Sequence, residues 1–303
     1  MNGRDDRAAW AGFWSQSGTA GGCLANAPPE MTAVFAAVWR DAAQRLPKGG
    51  RVLDLATGDG TVLARIGQSR SDLKLTGIDS SPVLPAAPAG VRLRSAVSME
   101  QLPYPDASFD LVTSQFGFEY GDRERVAGEA ARVLRPGSAL VLVLHRQGSP
   151  VVRYSEARHA ALVWAARDSG LTEKAEGFAF ARQLARLPVP SLFRAAPAEA
   201  ALRFPGQAVA RDYASAILQT LELGHERPAV WTADALAALR SAGEHELARL
   251  EALSRAALDQ DALSEVAEQL RAAGLGEVSH RALTLGEAGE AFAWLLRTAK
   301  PRT

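Results

Sequence analysis

Two acids and two glycines stand where they can hold a small molecule. Asp54 lies within the apolar run Val52 to Ala56, Gly58 and Gly60 follow it, and Asp79 comes about nineteen residues after Gly60. Glycines accept positive φ and let backbone approach a ligand closely, and a helix beginning at Thr61 would offer free N–H groups beside them. An acid at that distance can hydrogen-bond a ribose, with a surface or helix-capping role as the plainer alternative. Two features depart from a dinucleotide site. A carboxylate before the turn faces a cation better than a pyrophosphate, and the third glycine of the dinucleotide fingerprint is replaced by Leu63. A nucleoside bearing an amino group and a sulfonium but no phosphate, S-adenosylmethionine, suits both departures. Nicotinamide-dependent chemistry suits neither.

The elements that must position these residues alternate in type. Val52 to Ala56 predicts a buried parallel strand, and Thr61 to about Gln68 a helix. Further strands are predicted at Leu73 to Asp79, Val91 to Val97, Leu111 to Ser114 and Ser138 to His145. Asp122 opens a helix with Val126, Ala130, Val133 and Leu134 on one face, stopped by Pro136 and Gly137. Such alternation predicts an α/β fold, a Rossmann-like parallel sheet with helices on both faces. Upstream, Val34, Phe35, Val38 and Trp39 recur at helical spacing and are expected to pack on the sheet. The aromatic cluster Trp10, Phe13 and Trp14, followed by the Ser- and Gly-rich stretch Ser15 to Gly22, reads either as a cover over a bound ligand or as a helix docked by its aromatic face.

In this order the motifs resemble those of the class I S-adenosylmethionine-dependent methyltransferases. They are Val-Leu-Asp-Leu-Ala-Thr-Gly-Asp-Gly (52–60), Gly-Ile-Asp-Ser-Ser (77–81), Leu-Pro-Tyr-Pro-Asp-Ala-Ser-Phe-Asp (102–110) and Arg-Val-Leu-Arg-Pro-Gly (132–137). The likeness is greatest to the branch of quinone and small-molecule methyltransferases. It implies that Asp54 and the loop Ala56, Thr57, Gly58 and Gly60 hold the methionine part of the cofactor. It also implies that Asp79, with Ser80 beside it, meets the ribose hydroxyls, and that Ser98, Met99 and Glu100 line the adenine. Gln115 and Phe116, just past the fourth strand, would sit beside cofactor and substrate. Ala56 replaces the first glycine of the usual loop. Ser98 replaces a frequent Asp, and a hydroxyl accepts the adenine amino group's hydrogen bond less strongly than a carboxylate.

Methyl transfer from a sulfonium is an in-line displacement that needs alignment and, for hydroxyl or carbon acceptors, removal of a proton. His145 at the end of the fifth strand is expected at the cleft rim. A histidine titrates near neutrality and suits a general base, and a structural role is its alternative. Glu119 and Tyr120 share the rim as the other catalytic candidates. Ser114-Gln-Phe-Gly117 stands where an Asn/Asp-Pro-Pro-aromatic tetrapeptide would mark nucleobase or protein amide nitrogens as acceptors. A small organic acceptor, methylated at oxygen or carbon, is therefore expected, with a catalytically inactive cofactor-binding regulatory or assembly protein as the alternative.

Composition narrows the rest. The 303 residues carry 34 basic and 34 acidic side chains, a balance that argues against a general nucleic-acid or membrane surface. Cys23, the one cysteine, is read as a small buried hydrophobe and excludes an internal disulfide or a cysteine zinc cluster. His159, His225, His245 and His280 are too irregularly spaced for a metal site, so no metal is expected. Met1 to Arg7 lacks an apolar signal core, and Ala139 to Leu144 is too short to span a bilayer, so a cytoplasmic location is expected.

Four regions follow: an N-terminal helical cover (1–50), the cofactor core (51–149), a helical cap or insertion (150–273) and a C-terminal strand and helix completing the core (274–303). Helices are predicted in the insertion at Ser155 to Ser169, Glu173 to Leu187, Arg211 to Leu223, Thr232 to Ala242, Glu244 to Leu258 and Ala262 to Ala273. It is expected to choose the acceptor, with homodimerisation as its other use. Gly274 to Leu285 resembles the family's final strand region, and Glu287 to Thr298 predicts a terminal helix.

Overall fold

The computed structural model describes Trp10, Phe13, Trp14 and residues 27–184, 187–286 and 289–302. The stretch Ser15 to Gly22 and Cys23 lie outside the described residues. The chain forms two compact units, residues 1–152 with 252–303, and residues 153–251.

In the first unit the apolar run becomes β1 (Arg51–Leu55), with Val52, Leu53 and Leu55 fully buried, as expected of a strand covered on both faces. The strands β2 (Lys74–Ile78), β3 (Val91–Arg94), β4 (Phe109–Gln115) and β5 (Leu134–His145) run parallel to it. The seven-stranded sheet has the order β3-β2-β1-β4-β5-β7-β6. Strand order therefore reverses between β1 and β4, and a crevice opens at the carboxyl ends of the strands there.

One face of the sheet packs on α1 (Pro29–Gln44) and α2 (Thr61–Ser69) through Phe35, Trp39, Leu63 and Ile66. The other packs on α3 (Arg123–Val133) through Val126 and Ala130, and on a helix later in the chain. The expected doubly covered sheet is present.

The C-terminal region departs from the sequence pattern. Where a terminal helix is predicted, the structure has β7 (Ala291–Ala299), antiparallel to β5 on one side and to β6 (Ser279–Thr284) on the other. Phe292 to Leu296 are all buried, so the strand lacks the alternation that identifies a half-exposed strand. A short continuous apolar run fits either type of element, and the open edge of β5 decides it. Glu287 and Ala288 lie outside the described residues.

The insertion is also shorter than its predicted range of 150–273. Residues 260–272 belong to the first unit, where Leu263, Val266 and Leu270 join the core on the α3 face. This is α9 below; its N-cap, Asp259, accepts from the Ala262 amide.

The second unit is helical. Its elements are α4 (Pro150–Val163) with a π turn at Trp164–Asp168, α5 (Leu171–Leu184), α6 (Ser191–Arg203), α7 (Ala208–Leu223) and α8 (Ala229–Ala256); α9 (Gln260–Ala272) follows in the first unit. The helix α6 was not predicted, because Pro197 lies inside it. The two helices predicted at 232–242 and 244–258 are one. Gly243 does not break α8; a side chain there would press on the Tyr213 ring, so the glycine serves close packing. Phe193, Ile217, Leu236 and Leu247 centre this core, and Thr172 Oγ1 and Tyr213 Oη share a 3.1 Å hydrogen bond.

Candidate functional site

The turn after β1 is built from left-handed backbone. Ala56, Gly58 and Gly60 have φ of 50°, 54° and 76°. Gly58 tolerates this without strain, and a Cβ there would run into the Trp14 indole. Ala56 lacks that freedom and stores strain of about 1 kcal/mol. Gly117, after β4, answers it: a Cβ at 117 would collide with the Ala56 methyl. The two loops are therefore matched, and Ser114 ties them by donating from Oγ to Leu55 O at 3.0 Å while accepting from the Phe118 amide at 3.0 Å.

Both acids are buried in the crevice. Asp54 Oδ1 accepts from Thr113 Oγ1 at 2.7 Å. Burial pushes the Asp54 carboxyl up to about 7, with the Thr113 bond opposing and the charges of Asp79 and Asp59 adding to the rise. Asp79 takes two amides, Gly58 N on Oδ2 at 3.0 Å and Ser81 N on Oδ1 at 2.9 Å. Its carboxyl is also raised by burial, against those two bonds. Asp79 thus organises the glycine turn whatever else it binds.

These residues share one cleft. Asp54, Ala56, Thr57, Gly58, Asp79, Ser80, Ser98, Met99, Glu100, Gln115, Phe116 and Tyr120 line it; Gly60 does not, and acts instead as the left-handed cap of α2. Ser98 does not wait with an open hydroxyl. Its Oγ donates to Glu100 Oε2 at 2.9 Å and accepts the Glu100 amide at 3.2 Å, while Glu100 Oε1 takes the Asp122 amide at 2.9 Å. A carboxylate is thereby fixed two residues from the position where an Asp is frequent. On the opposite wall, Gln115 Oε1 accepts from Trp39 Nε1 at 2.8 Å, and Phe116 is held at φ 58°.

His145 is not at the rim. Its side chain and that of Glu119 are 0% exposed, and neither lines the cleft. The Phe116 ring stacks on the imidazole at 4.2 Å between centroids, and Tyr120 meets it edge-on at 5.9 Å. Glu119 Oε1 accepts from the His145 amide and pairs with Nδ1, both at 2.8 Å. An oxygen already accepting one N–H takes the ring's Nδ1–H too, so a neutral ring carries its proton on Nδ1. The strand-end position predicts a rim residue because it cannot show that Phe116 folds back over the ring. Of the three catalytic candidates, Tyr120 reaches the cleft.

Sequence reasoning also missed part of the lining. Thr61, Val62 and Arg65 present one face of α2 to the cleft, and Thr32 of α1 adds to it. The i, i+1, i+4 spacing just after the glycine turn is the signal that could have found them. Trp10 and Trp14, expected from the sequence either to cover a bound ligand or to dock as a helix, line the cleft, and Trp10 contacts Tyr120 edge-on at 5.7 Å. Among the described residues no cluster of His, Cys, Asp and Glu could hold a metal, and no helix is long and apolar enough to cross a membrane.

Residues 53–142 match the methyltransferase domain family. A demethylmenaquinone methyltransferase of Thermus thermophilus is 36% identical over 111 residues, 34% of this chain and 49% of that protein. A dimethylglycine N-methyltransferase of Parasynechococcus marenigrum is 37% identical over 111 residues, 33% of this chain and 39% of that protein. The chain spans half or less of the length of these relatives. Among solved structures, a methyltransferase in complex with the Haloferax volcanii Trm112 activator covers 100% of this chain and 99% of its own at 14% identity, with a TM-score of 0.47, too low to argue from. The domain match falls on the strands and loops that build the cleft, and it is in this part that the chain is similar to the methyltransferase domain family.

Proposed function

We propose that this chain transfers the methyl group of S-adenosylmethionine to a small organic acceptor at oxygen or carbon. The observation that carries the reading is a buried carboxyl, Asp54, raised to about 7 beside a left-handed glycine turn at the sheet's switch point. Its ionised form needs a cation, and the cofactor's ammonium is one. That is also the fit between these residues and the group. Asp79 has a lone pair left on each oxygen after its two amide bonds, enough to accept from the ribose hydroxyls. Ser98, Met99 and Glu100 would border the adenine, Glu100 supplying the carboxylate that Ser98 lacks. When bound, the cofactor supplies an electrophilic methyl group on sulfur.

The chain's own contribution is alignment and exclusion of water. Phe116, Tyr120, Trp10 and Trp14 give the cleft an aromatic wall suited to an apolar or aromatic acceptor. The buried His145–Glu119 pair would act as a positioning device behind that wall, holding Phe116 and Tyr120, and Tyr120 is the side chain that would touch the acceptor. Support for a small acceptor comes from the relatives, whose names specify demethylmenaquinone and dimethylglycine as substrates of those proteins.

The test is a screen of quinol, phenol and small amine acceptors with radiolabelled methyl donor. Incorporation at carbon or oxygen of a small acceptor, reduced at least tenfold by Tyr120→Ala, is expected. Transfer to nitrogen, or to protein or nucleic acid alone, would contradict the reading.

A further inference from the structure

Arg65 is the one basic side chain that lines the cleft among the described residues. Its Nη1 is buried and has no hydrogen-bond acceptor among the described residues. Burial holds the guanidinium below its ordinary range, and the charge of Asp59 only partly opposes this. Among the described residues the other charged side chains of the lining, Asp54, Asp59, Asp79 and Glu100, are all acids. Each already accepts a hydrogen bond elsewhere: from Thr113, the Thr61 amide, Gly58 with Ser81, and Ser98 with Asp122 respectively. A half-buried guanidinium left in this state is disfavoured until an anion reaches it.

We propose that Arg65 is the carboxylate anchor of the cleft and takes the amino-acid carboxylate of the bound cofactor. This rests on the S-adenosylmethionine reading above. Side chains on a helix lean toward its N-terminus, so Arg65 on the second turn of α2 leans back toward the loop that ends at Gly60. The methionine end of the cofactor is a zwitterion. Asp54 answers its ammonium, and without Arg65 its carboxylate would enter a cleft whose other charges repel it. A planar fork of donors matches a carboxylate in two parallel bonds, which a lysine cannot reproduce.

Two ligands isolate the carboxylate: S-adenosylhomocysteine, and S-adenosyl-3-thiopropylamine, which lacks only that group. In calorimetric titrations Arg65→Gln should weaken S-adenosylhomocysteine about 10- to 100-fold and the decarboxylated ligand less than about twofold, with Arg65→Lys in between. The ligand-free melting temperature of Arg65→Gln should match or exceed that of the wild type, which separates lost binding from lost folding. Unchanged affinity for S-adenosylhomocysteine in a folded Arg65→Gln would overturn the assignment and leave the guanidinium to an anionic acceptor. Equal weakening of both ligands would overturn it too. Failure of the wild type to bind either ligand would instead overturn the cofactor reading on which it rests.

Discussion

In the core unit single side chains carry fixed structural duties: Asp79 gathers the Gly58 and Ser81 amides, and Gly117 leaves room for the Ala56 methyl. The inserted unit makes fewer such demands, Gly243 against the Tyr213 ring being one of them. Phe193, Ile217, Leu236 and Leu247 need only be apolar and fit, and its polar contacts include Arg158 with Glu246 at 2.9 Å, a carboxylate that Arg249 shares at 2.7 Å. A loop that must accept positive φ and present a carboxylate admits few residue types, whereas a helical core admits many. The first kind of region names its ligand and the second does not.

The sharpest way to break this contrast is Asp79→Ala. It leaves two amides without their acceptor and removes the proposed ribose partner, so cofactor affinity should fall at least about 100-fold, about 2.7 kcal/mol. A folded variant with an unchanged dissociation constant would remove the ribose assignment. Next comes Gly117→Ala, expected to destabilise the protein by about 2 kcal/mol in a denaturant titration. Adding Ala56→Gly should recover part of that loss, and strictly additive effects would show that the two loops are not matched.

A smaller effect concerns pH. The Asp54 carboxyl keeps its proton up to about 7 in the folded protein and gives it up near pH 4 when unfolded, so the folded state binds more protons in between. Its contribution to the stability of the ligand-free protein is therefore lost as pH rises from about 4 to 7. The proposed pairing with the cofactor's ammonium needs the ionised form, so affinity should rise about tenfold from pH 6 to pH 8 and then level off. Asp54→Asn should bind weakly and without that slope; a slope that survives the substitution would point to another group.

The smallest effect lies in the inserted unit. Tyr213→Phe removes the bond to Thr172 and should cost about 1 kcal/mol of stability, with cofactor affinity within twofold of the wild type. A larger change in affinity would tie the insertion to the donor site.

The same contrast explains what the sequence disclosed. The five parallel strands and the donor loop were legible because backbone geometry there constrains residue type. The strand β7 was not, since its buried run Phe292 to Leu296 has no period of its own and takes its conformation from the open edge of β5. The burial of His145 was hidden for a related reason: the left-handed backbone that turns Phe116 onto the imidazole occurs at a non-glycine residue. Arg65 was overlooked because an arginine on an amphipathic helix ordinarily marks the solvent face.

The most direct test of the central claim is a calorimetric titration of the wild-type protein at pH 8 with S-adenosylhomocysteine and, separately, with NAD. One-to-one binding of the first, with a dissociation constant at or below about 100 μM, and no heat from the second is the expected result. Binding of the nicotinamide nucleotide, or none of the adenosyl ligand at millimolar concentration, would contradict it.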